Sequence, residues 1–473
     1  MKMKKLLSAV LAVAMAASFA ACGSDNSGSA GSDGGENKTE KKEEGGSSSS
    51  GDKITINMYS FTEEVPGMWD KFCETYPEFG EKYELKKTVI PTTDQQYQPA
   101  LDQALQGGGK DAPDIYCAEA AFILKYTQGD AKDFAMPYKD LGIDVDAKIK
   151  EADIAQYTID IGSRDGQVVG LGYQATGGAF IYRRSIAKEV FGSDDPADVA
   201  AAIGGGSGNL DKFWEAAETL KSKGHAIISG DGDLWHLCEK SAESGWIVDG
   251  KLNIAPMREN FLDYSKKLKD NGWHNDTEDW KDAWFADMKG EGDTPCLGFF
   301  GPAWLVNYSL KDNCGGTKEG EGTFGDWAVC ESPVGFFWGG TWLLANKDIP
   351  DEKKEAVAKF IEWVTLDSSE TGLQYLWANG KMNESGTKDV VASNTVMKKS
   401  DGTVAILGGQ NMFDVFTKAN VYATGKNDTQ YDEKINGFWR DQVRAYAHGE
   451  KDRDAAIADF KANVKENINV TVE

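Results

Sequence analysis

Residues 335–342 read G-F-F-W-G-G-T-W and combine four aromatic side chains with three glycines in eight positions. An apolar run of this length is consistent with a buried strand. However, Gly339 and Gly340 would weaken a strand interior, and such glycines typically mark a bulge or a close approach by another group. Two interpretations follow: a core strand with a bulge, or a flexible connection beside a binding site. The choice between them depends on the rest of the chain.

The length and charge of the chain exclude one class of partner. At 473 residues it is longer than a single hydrophobic core usually supports, so we expect two or more lobes. The 51 Lys and Arg residues against 76 Asp and Glu give a formal net charge of -25. This charge would repel phosphate backbones, and we therefore predict no nucleic-acid partner.

The N-terminus predicts export. Three lysines within the first five residues precede an apolar stretch at 6–21, which is shorter than a membrane-spanning helix and typical of a signal peptide over 1–21. Small residues directly before Cys22 resemble a bacterial lipobox, in which the chain is cleaved before the cysteine and its thiol is lipidated. Phe19 stands where Leu is usual, and an ordinary signal peptide is the alternative.

The segment after Cys22 predicts a tether. Residues 23–52 are almost entirely Gly, Ser, Asp, Glu, Lys and Asn, which leaves little apolar surface to bury. We therefore predict that 22–52 comprises a lipidated cysteine and a disordered linker. Together with the signal peptide, this segment implies a domain held outside the cell membrane by a lipid anchor.

Cysteines and histidines predict neither a disulfide framework nor a metal site. Six of the seven cysteines follow Cys22, and their spacing matches no framework, so no pairing is predicted. The four histidines are far apart, and only His236 and Cys238 lie close in sequence. A structural role is more common for such a pair than metal binding. We predict no metal and no cofactor.

Strands and helices alternate over the first part of the folded region. The predicted strands are 53–59, 84–90 and 112–117, and the helices are 66–76 and 97–106. This alternation indicates parallel βαβ units, in which ligands bind beyond the carboxyl ends of the strands. Glu63 and Glu64 follow the first strand and Glu119 follows the third, so we expect these carboxylates at the binding edge.

Several short motifs occur in a characteristic order. They are A-P-D-I-Y at 112–116, D-G-Q-V-V-G-L-G-Y at 165–173, G-A-F-I-Y-R-R at 178–184, G-P-A-W at 301–304, G-G-T-W-L-L-A at 339–345, F-I-E-W-V at 360–364 and F-W-R-D-Q-V at 438–443. With the lipobox and the tether, this order resembles the family 1 extracellular solute-binding proteins of ABC importers, the group that contains maltose-binding protein. The resemblance extends from residue 53 to the C-terminus.

The resemblance implies an α/β fold of the two-lobed, periplasmic-binding-protein-like type II class, with three interlobe hinge crossings. By this analogy lobe 1 comprises 53–174 and 339–395, and lobe 2 comprises 175–338 and 396–473. Such lobes close on a ligand held between them. A monomer is expected.

The hinge crossings are assigned by the same analogy. The expected hinge residues are Gln174, Thr176 and Gly177 in the first crossing and Gly339 and Gly340 in the second, while the third lies within 390–395. Glycine absorbs a backbone rotation at the least steric cost, which gives the glycines of 335–342 a reason to be there. The neighbouring Phe336 and Phe337 are assigned to the core.

The candidate cleft loops are rich in flat side chains, amides and carboxylates but carry little positive charge. A pyranose ring suits them, because aromatic planes cover its apolar face while polar side chains bond its hydroxyls. Trp304 matches the position where relatives stack a sugar. The other candidates are Trp338, Trp342, Trp235 and Tyr173 among the aromatics and Glu63, Glu64, Glu119, Asp233, Gln410 and Asn411 among the polar residues. Asp233 and Trp235 belong to a predicted loop at 229–236. Core packing is the alternative for each tryptophan other than Trp304.

The expected function is capture of a sugar or oligosaccharide and its delivery to the permease subunits of an ABC importer. The motif L-G-G-Q-N at 407–411 resembles one in sugar-binding members from Gram-positive gut bacteria, so an extracytoplasmic, lipid-anchored location in such a bacterium is expected. One alternative keeps the fold and binds an amino acid, peptide or polyamine. The other is a surface glycoside hydrolase, which needs two carboxylates in fixed roles. No motif fixes such a pair, and we predict a binding protein and not an enzyme.

Overall fold

The computed structural model describes residues 53–92, 95–420 and 423–473. The predicted signal peptide, the lipidated Cys22 and the tether lie outside the described residues. The strands are β1 (Ile54–Ser60), β2 (Tyr83–Val89), β3 (Ile115–Glu119), β4 (Ser163–Arg164), β5 (Gln167–Val168), β6 (Gly170–Gly172), β7 (Ala179–Arg183), β8 (Ala226–Ile228), β9 (Ile247–Val248), β10 (Lys251–Leu252), β11 (Cys296–Gly301), β12 (Trp327–Cys330) and β13 (Thr341–Ala345).

Helices connect these strands. They are α1 (Glu64–Thr75), α2 (Pro77–Lys82), α3 (Tyr97–Gly107), α4 (Ile123–Thr127), α5 (Val145–Ala152), α6 (Gln156–Ile161), α7 (Arg184–Phe191), α8 (Pro196–Ile203), α9 (Asp211–Ser222), α10 (Asp231–Lys240), α11 (Pro256–Asn271), α12 (Asp282–Lys289), α13 (Lys311–Asn313), α14 (Asp351–Thr365), α15 (Leu373–Ala378), α16 (Asn394–Met397), α17 (Phe413–Ala419), α18 (Asp432–Ala447) and α19 (Arg453–Asn467). Leu305–Leu310 forms a π-helix.

Two separate mixed sheets organise the fold. The first has the strand order β2-β1-β3-β13-β6, with β1 parallel to both β2 and β3 and with β13 antiparallel to β3 and β6. The second has the order β12-β7-β11-β8. The βαβ pattern of the first part of the chain therefore gives the expected parallel strands, and β13 joins the same sheet from a distant part of the sequence. This arrangement agrees with the predicted two-lobed α/β fold.

The first lobe is built on the alternation of β1. Ile56 and Met58 are fully buried beneath α1, whose own apolar face carries Trp69 and Phe72. The rings of these two residues each lie 5.3 Å from the ring of Phe360 in α14. The F-I-E-W-V motif therefore belongs to the core of this lobe, where it holds α14 against α1.

The second sheet is buried on both faces. Along β7, Phe180 packs with Phe213 and Phe300 on one side, while the neighbouring Ile181 belongs to the hydrophobic cluster on the other side. Such a strand cannot show the polar alternation of a half-exposed strand. The C-terminal helices complete this lobe, because Trp439 of α18 is fully buried 4.8 Å from the Phe460 ring.

Three chain segments pass between the sheets and are hydrogen-bonded side by side. The Trp338 amide donates to the Thr176 carbonyl over 3.1 Å, which joins the first and second segments. The Ala175 amide donates to the Val390 carbonyl over 3.2 Å, which joins the first and third. Such a narrow connection is the geometry that a three-stranded hinge requires.

The third segment stays on the first lobe for longer than the predicted boundary at 395. Thr395 donates from its hydroxyl to the Glu151 carbonyl over 2.9 Å, and Lys398, beyond the boundary, donates to the Asp153 carboxylate over 3.0 Å. A hydrogen bond to the second lobe follows at Ile406, whose carbonyl accepts from the Gly325 amide. We therefore propose that the chain crosses between α16 and Ile406. The other lobe boundaries remain predictions.

The predicted loop at 229–236 is wrong, because α10 begins within it at Asp231. Gly230 has an extended backbone directly before the helix, and its amide donates to the Asp233 carboxylate over 3.0 Å. Acidic residues in a first turn stabilise a helix through its dipole. The run S-G-D-G-D therefore starts a helix and places Trp235 inside the lobe.

Candidate functional site

A cavity of about 940 Å³ lies beyond the carboxyl ends of β1 and β3, lined from both lobes. Its aromatic lining residues are Phe61, Phe122, Trp280, Trp304, Tyr308, Trp338 and Trp377. Its carboxylate lining residues are Glu63, Glu64, Glu119 and Glu433. The volume falls within the usual range of small-molecule sites, and the position is the expected one for an open α/β sheet.

Three tryptophans form one wall, which we call the tryptophan wall: Trp280, Trp304 and Trp338. The Trp280 and Trp304 rings are nearly parallel, with centroids 5.9 Å apart and planes 12° apart. The Trp304 and Trp338 rings meet edge to face at 4.7 Å. Trp280 is 52% exposed, which is unusual for so large an apolar side chain and typical of a binding surface.

The end of β11 determines where Trp304 stands. The strand ends at Gly301, Pro302 follows, and Trp304 directly precedes the π-helix Leu305–Leu310. Tyr308, four residues later, lines the same cavity. π-helical turns are rare and occur frequently at functional sites.

The glycines of 335–342 bring the backbone of this stretch against the wall. Gly339 has φ +74° and Gly340 has φ +109°, conformations that favour glycine. A Cβ on Gly339 would stand 3.3 Å from Trp304 Nε1, the atom that donates to the Trp338 carbonyl over 3.0 Å. The stretch is therefore a connection beside a cavity, and its strand begins only at Thr341.

Glu64 joins the two lobes through hydrogen bonds. Its two carboxylate oxygens accept from the hydroxyls of Tyr173 and Tyr308. Burial raises the pKa of Glu64 to about 7, an effect that the Tyr308 hydrogen bond partly opposes and the nearby Asp389 reinforces. Glu64 lies at the start of α1 and Tyr308 on the π-helix, so this contact spans the cavity between the lobes.

Glu119 ends β3 and has one oxygen without a partner. Its Oε2 accepts from the Ala121 amide over 2.8 Å. Its Oε1 lies 3.5 Å from the position that a Cβ would take on Gly339 and has no hydrogen bond to any described residue. Burial raises the pKa of Glu119 to about 7.

The other acidic groups around the cavity have partners. Glu63 is paired with Lys87 at 2.7 Å, and Glu433 accepts from the Gln98 amide over 2.6 Å. Asp389 is buried on the third connecting segment, where Val390 and Gln174 donate to it. Burial raises the pKa of Asp389 to about 7. The cavity therefore holds several carboxyl groups that ionise near neutral pH.

The structure brings five of the predicted ligand-binding residues to the cavity: Trp304, Trp338, Glu63, Glu64 and Glu119. Three predicted hinge residues, Gln174, Gly339 and Gly340, line it as well. Tyr173 is fully buried behind the lining and contacts it through Glu64. Thr176 and Gly177 lie in the first connecting segment, where the Thr176 hydroxyl donates to the Gly339 carbonyl over 2.9 Å.

Two tryptophans predicted to contact the ligand belong to the core instead, which corrects the prediction for Trp342 and Trp235. Trp342 is 1% exposed in β13, and its indole donates to the Thr158 carbonyl over 3.0 Å. Trp235 is 2% exposed on α10 and packs 4.9 Å from the Phe261 ring. A side chain enclosed in this way offers no face to a ligand.

Three predicted polar residues also have structural partners and lie outside the cavity lining, which corrects the prediction for Asp233, Gln410 and Asn411. Asp233 accepts from the Gly230 amide at the start of α10. Gln410 bonds both the amide and the carbonyl of Val329, each at 2.8 Å, and so extends the edge of β12. Asn411 accepts from two backbone amides of its own loop.

Sequence reasoning missed several lining residues, above all Trp280, Tyr308 and Trp377. Trp280 and Trp284 are spaced as on one face of a helix, but Trp280 has φ +66° and precedes α12, so its ring leaves the core. Tyr308 was detectable, because it follows Trp304 by four residues and thus shares its helical face. Trp377 could not be assigned without the tertiary structure, since it comes from the far end of α15.

The described residues hold no group of three or more His, Cys, Asp and Glu side chains arranged to bind a metal ion. Within the same residues, no helix combines the length and the apolar character that crossing a membrane requires. Among the described residues that line the cavity, none is Lys, Arg or His. The site thus offers aromatic faces, carboxylates and amides.

Comparison with known proteins gives a family and a fold. Residues 74–403 match the sequence model of a family described as bacterial extracellular solute-binding protein. No curated protein sequence matches the chain significantly. The solved structure of an extracellular solute-binding protein of family 1 has a TM-score of 0.69 at 16% identity, covering 87% of this chain and 99% of its own.

Two further structures are similar. The galacto-N-biose-/lacto-N-biose I-binding protein of Bifidobacterium longum, in complex with lacto-N-biose, has a TM-score of 0.65 at 16% identity, covering 89% of this chain and all of its own. The sugar-binding protein MalE of Xanthomonas citri has a TM-score of 0.63 at 15% identity, covering 87% and 97%. At these identities the likeness establishes the fold. With the family match over most of its folded region, the chain belongs to the bacterial extracellular solute-binding proteins.

Proposed function

We propose that this protein captures a sugar or oligosaccharide in the cavity and delivers it to the permease subunits of an ABC importer. The observation that carries the proposal is the tryptophan wall facing a set of carboxylates. Aromatic planes cover the apolar face of a pyranose ring, and carboxylates accept hydrogen bonds from its hydroxyls. The wall residues, with Glu64 and Glu119, are the proposed ligand contacts.

The relatives support a sugar as the ligand. The protein from Bifidobacterium longum is in complex with lacto-N-biose, and the protein from Xanthomonas citri is a sugar-binding protein. Membership of an extracellular family supports a location outside the cytoplasm. We further propose that the working form is a monomer anchored by lipid on Cys22 to the cell membrane of a Gram-positive bacterium.

Ligand-driven closure is the proposed mechanism. Glu64 and Glu119 lie in the first lobe, whereas Trp304 and Tyr308 lie in the second, so a ligand that touches both sets favours the closed arrangement. Gly339 and Gly340 adjoin the wall and supply the backbone freedom for such a motion. The closed form would then dock on the permease.

Calorimetry against a panel of plant and mucin oligosaccharides tests the proposal. We expect at least one sugar to bind and to reduce the radius of gyration measured by X-ray scattering. Superimposable scattering profiles with and without a tightly bound sugar would contradict the closure mechanism. Absence of binding across the panel would contradict the sugar assignment, and release of reducing ends would show a hydrolase instead.

A further inference from the structure

The cavity lining is acidic. Four carboxylates line it, Asp389 is buried beside it, and no lining residue among those described carries a positive charge. Removing carboxylates from water without compensation is costly, and closure around an uncharged ligand would increase that cost. A positive group on the ligand would reduce that cost, most directly at Glu119, whose Oε1 has no hydrogen-bond partner among the described residues.

Basic side chains around the cavity are already paired with carboxylates, and one of these pairs is Lys87 with Glu63 at 2.7 Å. The charge of Lys240 lowers the pKa of Glu119 through space. Lys240 itself is bonded to Asp428 at 3.1 Å and to Glu239 at 3.2 Å. Arg440 is paired with Asp279 at 3.3 Å behind the wall. Neither side chain belongs to the cavity lining, so neither neutralises it from within.

Glu119 is the carboxylate best placed to meet a cation. Glu63 has a lysine partner, and both oxygens of Glu64 accept from tyrosines. Glu433 accepts from Gln98 through its Oε2. Glu119 Oε1 has no hydrogen-bond partner among the described residues and stands at Gly339, beside Trp304. This oxygen is therefore a free hydrogen-bond acceptor beside the tryptophan wall.

The tryptophan wall favours a cation for an independent reason. The face of an indole ring attracts positive charge, and Trp is the best of the aromatic residues for this interaction. Trp280 is half exposed and nearly parallel to Trp304, while Trp338 meets both rings edge to face. The exposed Trp280 ring and Glu119 line the same cavity, so a ligand with a positive group can meet an indole face and a carboxylate oxygen without a partner in one site.

We propose that the ligand is an amino sugar whose protonated nitrogen lies between Glu119 Oε1 and the tryptophan wall. This inference rests on the proposed function and specifies the substrate class of the same site. The raised pKa values of Glu64, Glu119 and Asp389 agree with it, because a bound cation favours the ionised carboxylate and so releases protons on binding.

The test uses probes that differ at a single substituent. Glucosamine, N-acetylglucosamine and glucose, each as the monosaccharide and as the β-1,4-linked trisaccharide, carry an ammonium, an amide or a hydroxyl at C2. Choline and spermidine represent amines without a sugar. Calorimetry of the purified full chain at pH 7 is expected to show at least tenfold tighter binding of an amino sugar than of its neutral counterparts.

Two matched variants locate the charge. Glu119→Gln keeps the shape of the side chain and removes the charge, so the ratio of amino-sugar to neutral-sugar affinity should fall towards one. Glu218→Gln makes the same change on the exposed face of α9, far from the cavity lining, and should leave the ratio as in the wild type. Thermal unfolding confirms that both variants are folded.

The outcomes distinguish the amino-sugar inference from the proposed function. Equal affinity for amino and neutral sugars would overturn the inference and leave the proposed function standing. Binding of choline or spermidine but of no sugar, lost in Glu119→Gln, would support the positive nitrogen and contradict the sugar. If no amine probe binds, or if Glu119→Gln keeps the preference, the inference is overturned.

Discussion

Trp338 and Trp342 are four residues apart in one aromatic stretch, yet the structure uses them in opposite ways. Trp342 is enclosed in β13 between β3 and β6, and its indole has a backbone partner. Trp338 precedes the strand, lines the cavity and lies with its ring stacked 3.7 Å from the His236 ring. Residue type therefore does not separate a binding residue from a core residue here.

The backbone between them makes the difference. Gly339 and Gly340 both have positive φ, so the strand alternation that governs Trp342 does not extend back to Trp338. The residues before these glycines contact the tryptophan wall, whereas the residues after them form the central strand β13. Substitutions on the two sides should accordingly change different measurements.

The largest expected effect is on stability, from Trp342→Ala. Removing a fully buried tryptophan leaves a cavity and removes the indole hydrogen bond to the Thr158 carbonyl, so the free energy of unfolding should fall by about 3 to 5 kcal/mol. Urea unfolding followed by circular dichroism measures it. Trp342→Phe retains most of the packing and serves as the control. A loss below 1 kcal/mol would show that Trp342 is not a core residue.

The cavity should differ from the core in its response to pH. Because the pKa of Glu119 is raised from 4.5 to about 7, mainly by burial, its contribution to stability is fully present below pH 4.5 and is lost as the pH rises through 7. Glu433 and Glu239 reinforce the shift and Lys240 opposes it. Without ligand, the wild type should lose up to about 3 kcal/mol relative to Glu119→Gln between pH 4.5 and pH 8. Parallel stability profiles of the two proteins would contradict this.

Trp338→Ala should weaken ligand binding and change stability less than Trp342→Ala does. We expect the affinity for a sugar that binds the wild type to fall by about 2 kcal/mol, roughly 30-fold, because Trp338 is part of the wall. Stability should change by less than in Trp342→Ala, since the side chain is only partly buried. Calorimetry and urea unfolding of the same preparation measure both quantities. Equal losses of stability in the two variants would remove the distinction between them.

The smallest expected effect comes from the glycines that separate the two tryptophans. Gly340→Ala places a Cβ at φ +109°, 3.2 Å from the Trp342 ring, and should cost about 1 to 2 kcal/mol of stability. Gly437→Ala is the matched control, because that helical glycine has no atom within 4 Å of the added Cβ and should be neutral or stabilising. A tolerated Gly340→Ala would show that this backbone conformation is not required.

Much of the fold was predictable where local signals and burial agree. The predicted helix at 97–106 corresponds to α3 within a residue, and the predicted strand at 53–59 corresponds to β1 within a residue. The run at 229–236 misled, because Gly and Asp typical of a loop here start α10. The partners of β13 could be assigned only from the structure, since they lie more than 150 residues earlier.

The site was predictable in part for the same reason. Glu119 is the last residue of β3 and Trp304 lies shortly after the end of β11, so their positions at strand ends favour the binding edge. Trp235 has the same chemistry, yet its position on α10 turns it inward. Trp280 was not predicted, because its exposure results from a positive φ that the local sequence pattern does not indicate.

The most direct test of the account is the affinity of Trp304→Ala for a sugar that binds the wild type, measured by calorimetry. Trp304 contacts both other residues of the wall and the backbone of the second connecting segment. If the wall is the binding surface, the folded variant should lose at least about 2 kcal/mol of binding free energy, roughly 30-fold in affinity. An unchanged affinity in a variant with wild-type thermal unfolding would show that the ligand binds elsewhere.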